Sequence, residues 1–275
     1  YVEFLCEQYT KNAEVAATLT VLELQNLLVL VSYVSAARDA AATVAVASSL
    51  QRLLSILGRP RIVARIALIR DTAAARVGAD WNPARFTAAR SRIDEQIRNG
   101  RFSEALVGAQ ALLQQCRVAG EQAYEGADND LAHASSMLGR ALRLTGNVQQ
   151  ALPHLEDAQR RFEASGQLGS DPHAAAMTSY CLTERADCLV RLGRLDDAAA
   201  LHEESIRGDE QRGAQRDVAV GKANAVAAAN VQSFVSMGKS YILSTGGAAG
   251  SFTCGSDAGF ETFIQRYNSS RLAGV

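Results

Sequence analysis

Aromatic residues and prolines are scarce in this chain, and neither sign of charge dominates it. Aromatic side chains make up 6% of the 275 residues, so the 48% hydrophobic content is mainly alanine and leucine, which suits closely packed helices. The 28 basic and 29 acidic residues leave a formal net charge of −1, which gives no indication of a nucleic-acid partner. Three of the four prolines, Pro60, Pro83 and Pro172, precede helical patterns, whereas Pro153 lies within one.

Long hydrophobic runs are also missing. The most apolar stretch, residues 20–37, is interrupted by Glu23, Gln25 and Asn26, so it predicts a buried helix and not a membrane span. No signal peptide is recognisable, and the chain begins at Tyr1 without methionine, which predicts an internal or processed piece of a longer protein. We therefore expect a cytoplasmic protein that binds no membrane.

The sequence carries none of the usual spacings for metal or nucleophile chemistry. Its five cysteines are odd in number and lack Cys-x-x-Cys spacing, so we expect neither a disulfide framework nor zinc, and Cys181 and Cys188 are predicted to be buried thiols. The four histidines show no metal-ligand spacing and are predicted to be surface or capping residues. Ser244 is not surrounded by the Gly-x-Ser-x-Gly motif of a nucleophile elbow, so it is predicted to be a structural residue. We predict no enzyme activity, no catalytic residue, no metal and no cofactor.

What the sequence does contain is one pattern repeated three times between residues 99 and 205. In each copy a glycine is followed two residues later by an apolar residue and five residues later by an alanine, and the copies are 46 and 47 residues apart. The glycines are Gly100, Gly146 and Gly193, and the alanines are Ala105, Ala151 and Ala198. A second set, Gly120, Gly166 and Gly213, keeps the same steps.

This pattern is typical of a helix, a tight turn and a second helix. Glycine ends the first helix because it tolerates positive φ, and the alanine fits where two helices cross closely. The spacing resembles the tetratricopeptide repeat over about residues 84–235, in the long-repeat variety of kinesin light chains and of the sensor arms of NB-ARC-type ATPases. Gly139 and Ala186 also match its small first-helix position, whereas Ile93 departs from it.

The resemblance implies an all-α fold, a right-handed superhelical solenoid of antiparallel helix hairpins. Residues 1–80 are predicted to form further, degenerate hairpins: helices at 2–18 and 20–37, a third from Asp39 to Gly58 and a fourth from Arg61 to Val77. Residues 81–235 are predicted to form the tetratricopeptide-like repeats. Within the first segment, Glu23, Asn26 and Leu27 resemble a Glu-x-x-Asn-Leu run of the NB-ARC-type ATPases, although no phosphate-binding loop is present.

The C-terminal segment, residues 236–275, has a different character. The run 241–247 reads as a buried strand entering a glycine turn, and a helix is predicted from Asp257 to Ser269, so this short segment is α/β-like. Residues 228–275 resemble a fragment of a glycoside hydrolase family 18 chitinase, because Ser244-Thr245-Gly246-Gly247 matches the Ser-x-Gly-Gly motif on the third barrel strand. The chain ends before the catalytic carboxylates of that family, so we expect no chitin hydrolysis.

In tetratricopeptide repeats the first helix of each hairpin lines the concave groove, and counting back from each turn glycine gives the groove positions. Five arginines fall among the fifteen positions, which favours an acidic peptide or a C-terminal carboxylate as ligand. The predicted groove residues are Thr87, Arg90, Asp94, Ile97 and Arg98; His133, Ser136, Arg140, Arg143 and Leu144; and Tyr180, Thr183, Asp187, Val190 and Arg191. Alternatively, these arginines are solvated or pair with Asp94 and Asp187.

Three functional interpretations follow. The first is a non-enzymatic scaffold for protein–protein interaction, a tetratricopeptide-repeat arm that binds a partner protein or acidic peptide in its groove, as in the sensor region of a signalling ATPase. The second is a truncated or fused chitinase fragment without its carboxylates. The third is a solenoid used only for self-association.

Overall fold

The structure, a computed structural model, describes residues 1–37, 39–168, 172–214 and 217–225. These residues are helical and contain no strand, so the predicted all-α class is confirmed for this part of the chain. The bounded helices are α1 (Val2–Lys11), α2 (Ala13–Leu22), α3 (Leu24–Ala36), α4 (Ala40–Ile56), α5 (Pro60–Ala74), α6 (Pro83–Arg98), α7 (Phe102–Ala119), α8 (Ala127–Leu144), α9 (Val148–Leu168), α10 (Pro172–Arg191) and α11 (Leu195–Gln211). Residues 217–225 are helical as well.

The helix starts follow the signals in the sequence. The Asp39 carboxylate accepts a hydrogen bond from the Ala42 amide at 2.9 Å and so caps α4. Asn82 caps α6 in the same way, and Pro60, Pro83 and Pro172 are the first residues of their helices, where a missing N–H costs nothing.

The three turn glycines end their helices with the same hydrogen-bonded motif. Gly100, Gly146 and Gly193 have φ of 72°, 84° and 76°, a region that side chains disfavour. At the first turn the Gly100 amide donates to the Ile97 carbonyl at 3.0 Å, and the next amide reaches back to Gln96 at 2.8 Å. The other two turns repeat both bonds, which is the Schellman arrangement. The second glycine set is not uniform, because Gly166 lies inside α9.

Small residues occupy the positions where helices approach most closely. Ala105, Ala151 and Ala198 are all fully buried at the same step after their turns. At Gly139 on α8, a Cβ atom would stand 2.5 Å from the Leu155 Cγ of α9, so only glycine fits there.

In the α6–α7 hairpin the small residue that allows a close helix contact lies on the second helix instead of the first. Ile93 replaces the small residue on α6, and Gly108 on α7 faces it, with a Cβ there only 3.1 Å from the Ile93 Cγ1. The departure at Ile93 is therefore matched by its partner helix, and the crossing remains close.

The hairpins pack in chain order. Each helix from α6 to α11 contacts the next one along the chain, and α6 also contacts α8, which in turn contacts α10. The α4–α5 hairpin continues the series, because both of its helices pack on α6. We call α4, α6, α8 and α10 the A helices; they form a row of successive contacts. Residues 217–225 pack on α11, where Gly221 lies against Ile206.

The N-terminal residues differ from the prediction. Residues 1–37 form three helices and not two, and α2 and α3 meet at a bend of 69° near Glu23. The expectation that the stretch 20–37 forms a buried helix is only partly right, because Leu24, Leu27 and Val31 are buried while Tyr33 on another face of α3 is 73% exposed. Among the described residues no single helix is long and apolar enough to cross a membrane, although the bent α2–α3 pair has the length and composition when taken together.

The predicted strand at 241–247, the helix from Asp257 to Ser269 and the chitinase-like motif lie outside the described residues.

Candidate binding face

The residues predicted to line a groove lie on three A helices that contact one another in sequence. On α6 they include Arg90, Asp94 and Arg98; on α8 they include His133, Ser136, Arg140 and Arg143; on α10 they include Tyr180, Thr183, Asp187 and Arg191. We call this row of positions, with its continuation on α4, the A-helix face. Its members have different environments, which decide what each can bind.

Arg143 is held by acidic groups of the next A helix. Its Nε donates to Glu184 Oε2 at 2.7 Å and its Nη2 to Glu184 Oε1 at 3.0 Å, a bidentate pair. Its Nη1 lies 3.4 Å from the Asp187 carboxylate. Desolvation acts to lower the pKa of Arg143, but the Glu184 charge and hydrogen bonds outweigh it and raise the pKa above its ordinary value. The pairing with Asp187 is the alternative that the sequence left open, and it makes Arg143 part of the α8–α10 contact.

Two of the predicted α10 residues also make contacts within the protein. The Thr183 hydroxyl donates to the Ser179 carbonyl at 3.1 Å and lies 3.2 Å from Ser205 Oγ of α11. Arg191 donates from Nη1 to the Arg143 carbonyl at 3.3 Å. These side chains help to join neighbouring helices.

His133 and Ser136 are buried beneath the face. His133 is 2% exposed, its Nε2 lies 3.1 Å from the Nε2 of His173, and its ring meets Phe162 edge-on at 5.0 Å. Burial, followed by the nearby Arg90 charge and His173, lowers the pKa of His133 to about 2. The Ser136 hydroxyl donates to the His133 carbonyl at 2.9 Å. His202 is also buried, so the prediction of surface histidines is wrong for His133 and His202.

In contrast, four arginines of the A-helix face form no close ion pair with a described residue. Among the described residues, no carboxylate oxygen lies within 4.0 Å of the guanidinium nitrogens of Arg52, Arg90, Arg98 or Arg140. Burial lowers the pKa of Arg90, and Asp94 only partly opposes this effect. For Arg140, desolvation is outweighed by Tyr180 and Glu184, so its pKa is raised, yet its Nε is buried without a hydrogen-bond partner. Guanidinium groups with no carboxylate in direct contact keep donors free for an anion.

A cavity of about 140 Å³ opens between α4 and α6 on this face. It is polar, with three guanidinium groups, one carboxylate, an amide and several hydroxyl groups in its wall. The lining residues are Ser48, Ser49, Gln51 and Arg52 from α4, and Thr87, Arg90, Ser91, Asp94 and Arg98 from α6. Arg52 and Arg98 are exposed at the rim, whereas Arg90 is half-buried.

The α4 residues were missed because α4 lacks the repeated turn motif. A signal was nevertheless present: Gly58 follows α4 with φ of 62°, and Ser48 and Arg52 precede it by the same ten and six residues that separate Arg90 and Asp94 from Gly100. Counting back from Gly58 as from the other turn glycines would have placed both α4 residues on the face.

The described residues contain no group of three or more histidine, cysteine or acidic side chains that could hold a metal ion. Cys181 and Cys188 are buried and unpaired, as predicted, and burial raises the pKa of each thiol to about 12.

No protein-family model matches this chain, and neither the curated proteins nor the solved structures include a significant match.

Proposed function

We propose that this chain is a non-enzymatic interaction module, an arm of the tetratricopeptide-repeat type whose A-helix face binds an acidic segment of a partner protein. The single observation that carries the proposal is a set of arginines on successive, contacting A helices that have no carboxylate within 4.0 Å among the described residues. Arg52, Arg90 and Arg98 belong to α4 and α6, and Arg140 extends the set to α8.

The contrast with Arg143 supports this interpretation. Arg143 has its charge balanced by Glu184 and Asp187, as expected of an arginine whose role is to join helices. Arg140, one turn earlier on the same helix, has no carboxylate in direct contact among the described residues, although the more distant Glu184 raises its pKa.

The arrangement of hairpins supports the same function. The Schellman turns and the buried alanines recur at the spacing of the sequence repeats, and stacked hairpins of this kind leave one row of helices to serve as an extended binding surface. The relation to ATPase sensor arms stays a prediction, since it depends on residues outside the face. The chitinase alternative likewise stays a prediction, since its motif lies outside the described residues.

The proposal is tested with a fluorescein-labelled peptide of alternating glutamate and glycine, whose binding is followed by fluorescence anisotropy. Arg140→Glu should weaken binding by at least about tenfold, because it replaces an attraction by a repulsion. The matched control is Arg160→Glu, because Arg160 is 74% exposed and lies on α9, which is not an A helix. A peptide with lysine in place of glutamate tests charge specificity, and circular dichroism checks that both variants keep their helicity. Equal affinities for the two variants would contradict the proposal.

Self-association is a second candidate, favoured by apolar side chains at the N-terminal end. Leu22 at the end of α2 is 73% exposed, and Val29 and Tyr33, four residues apart on α3, are 66% and 73% exposed, so apolar side chains are left uncovered near this end. Light scattering of the wild type and of Leu22→Glu distinguishes the two cases. Oligomers that the variant abolishes would favour self-association.

A further inference from the structure

The cavity between α4 and α6 has the composition of a site for a doubly charged anion. Three guanidinium groups and one carboxylate, that of Asp94, line it, which gives a net charge of +2 (3 − 1). The three guanidinium groups have no carboxylate within 4.0 Å among the described residues, so the charge is not neutralised by close contacts. A carboxylate ligand carries one negative charge, whereas a phosphate monoester carries nearly two at neutral pH.

The neutral groups that line the cavity also favour a phosphate as the ligand. Ser48, Ser49 and Ser91 line the same cavity as the three arginines, and the Ser48 Oγ is buried with no hydrogen-bond partner. A phosphate has three terminal oxygens that accept several hydrogen bonds at once, so it uses both kinds of donor. A single carboxylate has fewer acceptor positions and would leave part of this donor set unused.

The position of the cavity within the fold favours a ligand attached to a chain. It lies between two A helices, α4 and α6, and α6 contacts α8, the helix that carries Arg140. Arg52 and Arg98 at the rim remain exposed, while Arg90 is partly covered. A phosphorylated side chain can enter such a cavity while its backbone continues along the face.

We propose that this cavity binds the phosphate group of a phosphorylated serine or threonine side chain, with Arg90 as the central ligand and Arg52 and Arg98 at the rim. This inference deepens the proposed function, since it rests on a partner segment lying on the A-helix face. It makes binding to that face responsive to phosphorylation of the partner.

The test uses the whole chain labelled with ¹⁵N and follows the arginine Nε–H signals by NMR at constant ionic strength. The probes are N-acetyl-phosphoserine amide, N-acetyl-aspartate amide and inorganic phosphate. The phosphoserine derivative should bind at least about tenfold more tightly than the aspartate derivative, because it has the greater charge and more acceptors. Equal binding of these two probes would overturn the proposal. Inorganic phosphate that binds tenfold more tightly than the phosphoserine derivative would overturn the assignment to a phosphorylated side chain.

Two substitutions with opposite expected effects make the test independent of folding. Arg90→Gln should weaken binding of the phosphoserine derivative by about tenfold or more. Asp94→Asn should strengthen it several-fold because it removes the only carboxylate lining the described cavity. Arg65→Gln on α5 is the control, since it makes the same charge change at an exposed position outside the cavity and should leave binding unchanged.

A tighter Asp94→Asn complex cannot arise from a damaged fold, so its absence would count against the proposal. The result of the phosphate-binding experiment can be distinguished from the result of the acidic-peptide experiment that tests the proposed function. Loss of acidic-peptide binding in Arg140→Glu depends on α8, whereas the phosphate measurement depends on α4 and α6 and needs no peptide.

Discussion

Adding one methyl group at Gly139 tests whether α8 and α9 cross as closely as the structure indicates. Gly139 lies in the buried part of α8, and an added Cβ would stand 2.5 Å from Leu155 Cγ, 2.6 Å from Leu155 Cδ2 and 3.3 Å from the Ala151 carbonyl oxygen. Leu155 is fully buried, so its side chain has little room to move. We therefore expect Gly139→Ala to destabilise the protein.

Two opposing terms set the magnitude. Replacing glycine by alanine within a helix normally stabilises it by about 1 kcal/mol. Forcing an extra carbon into a well-packed core costs about 1–3 kcal/mol. Because the contacts at Gly139 are far below normal separations, we expect the second effect to win. With the cost in the upper part of that range, about 2–3 kcal/mol, and the gain of about 1 kcal/mol subtracted, the net loss in the free energy of unfolding should be about 1–2 kcal/mol.

Gly166→Ala provides the matched control. Gly166 is also helical, near the end of α9, but an added Cβ would meet only the Ala174 Cβ at 3.7 Å, an ordinary van der Waals contact. The helix propensity term should then act alone and stabilise the protein by about 0.5–1 kcal/mol. Urea unfolding followed by circular dichroism, with m-values compared, gives both free energies.

A double variant identifies the cause. Leu155→Ala alone should cost about 2–5 kcal/mol, because it leaves a cavity at a fully buried site. In that background the side-chain atoms that obstruct the new methyl group are gone, so Gly139→Ala should become neutral or stabilising. The close crossing would be refuted if Gly139→Ala stabilised the wild-type protein as Gly166→Ala does.

Two further predictions concern buried charge. Arg70 is fully buried, and its guanidinium lies 2.9 Å from Asp71 and 3.6 Å from Glu95. Arg70→Ala should cost about 3 kcal/mol, because it leaves a cavity and removes a buried cation from both carboxylates, of which Asp71 keeps only Arg92 and Glu95 only the Gln51 amide as a close partner among the described residues. Arg160→Ala, at an exposed ion pair, should change the free energy of unfolding in urea by less than about 1 kcal/mol, and similar losses for the two variants would contradict this reasoning. Burial lowers the pKa of His133 from 6.5 to about 2. Below about pH 6.5 the unfolded chain therefore binds a proton at this histidine that the folded chain does not bind. The free energy of unfolding should fall as the pH is lowered through this range, with a slope approaching about 1.4 kcal/mol per pH unit. His133→Asn should flatten that part of the urea stability profile between pH 7 and 4.5, and parallel profiles would show that His133 does not titrate on unfolding.

The hairpin turns were predictable because their determinants are local. A glycine with positive φ and the alanine five residues later are properties of adjacent positions, so Gly146 and Ala151 identify their turn without knowledge of the rest of the fold. The same applies to the Asp39 and Asn82 caps, which act within three residues.

Long-range partners were not predictable in this way. Arg143 pairs with Glu184, which is 41 residues away in the sequence. Glu184 is not one of the groove positions obtained by counting back from Gly193, so it was not considered among the predicted groove residues. The burial of His133 depends on Phe162 and His173 from two other helices. Similarly, the break at Glu23 divides a stretch whose apolar content alone predicts one continuous helix.

The register six residues before each turn glycine carries an alternating charge. Its members on successive A helices are Arg52, Asp94, Arg140 and Asp187. In this register alone, attraction and repulsion of an acidic ligand would nearly cancel along the row.

The excess positive charge therefore comes from other registers and is confined to one end of the row. Arg90 and Arg98 add two positive charges beside Asp94 on α6, whereas on α8 and α10 Arg143 is balanced by Glu184 and Asp187. An acidic segment should gain most of its electrostatic attraction at α4 and α6, with Arg140 as the outermost contributor. The number of arginines in the groove positions thus overstates the binding surface, because the contacts that join α8 to α10 use the same kind of residue for a structural purpose.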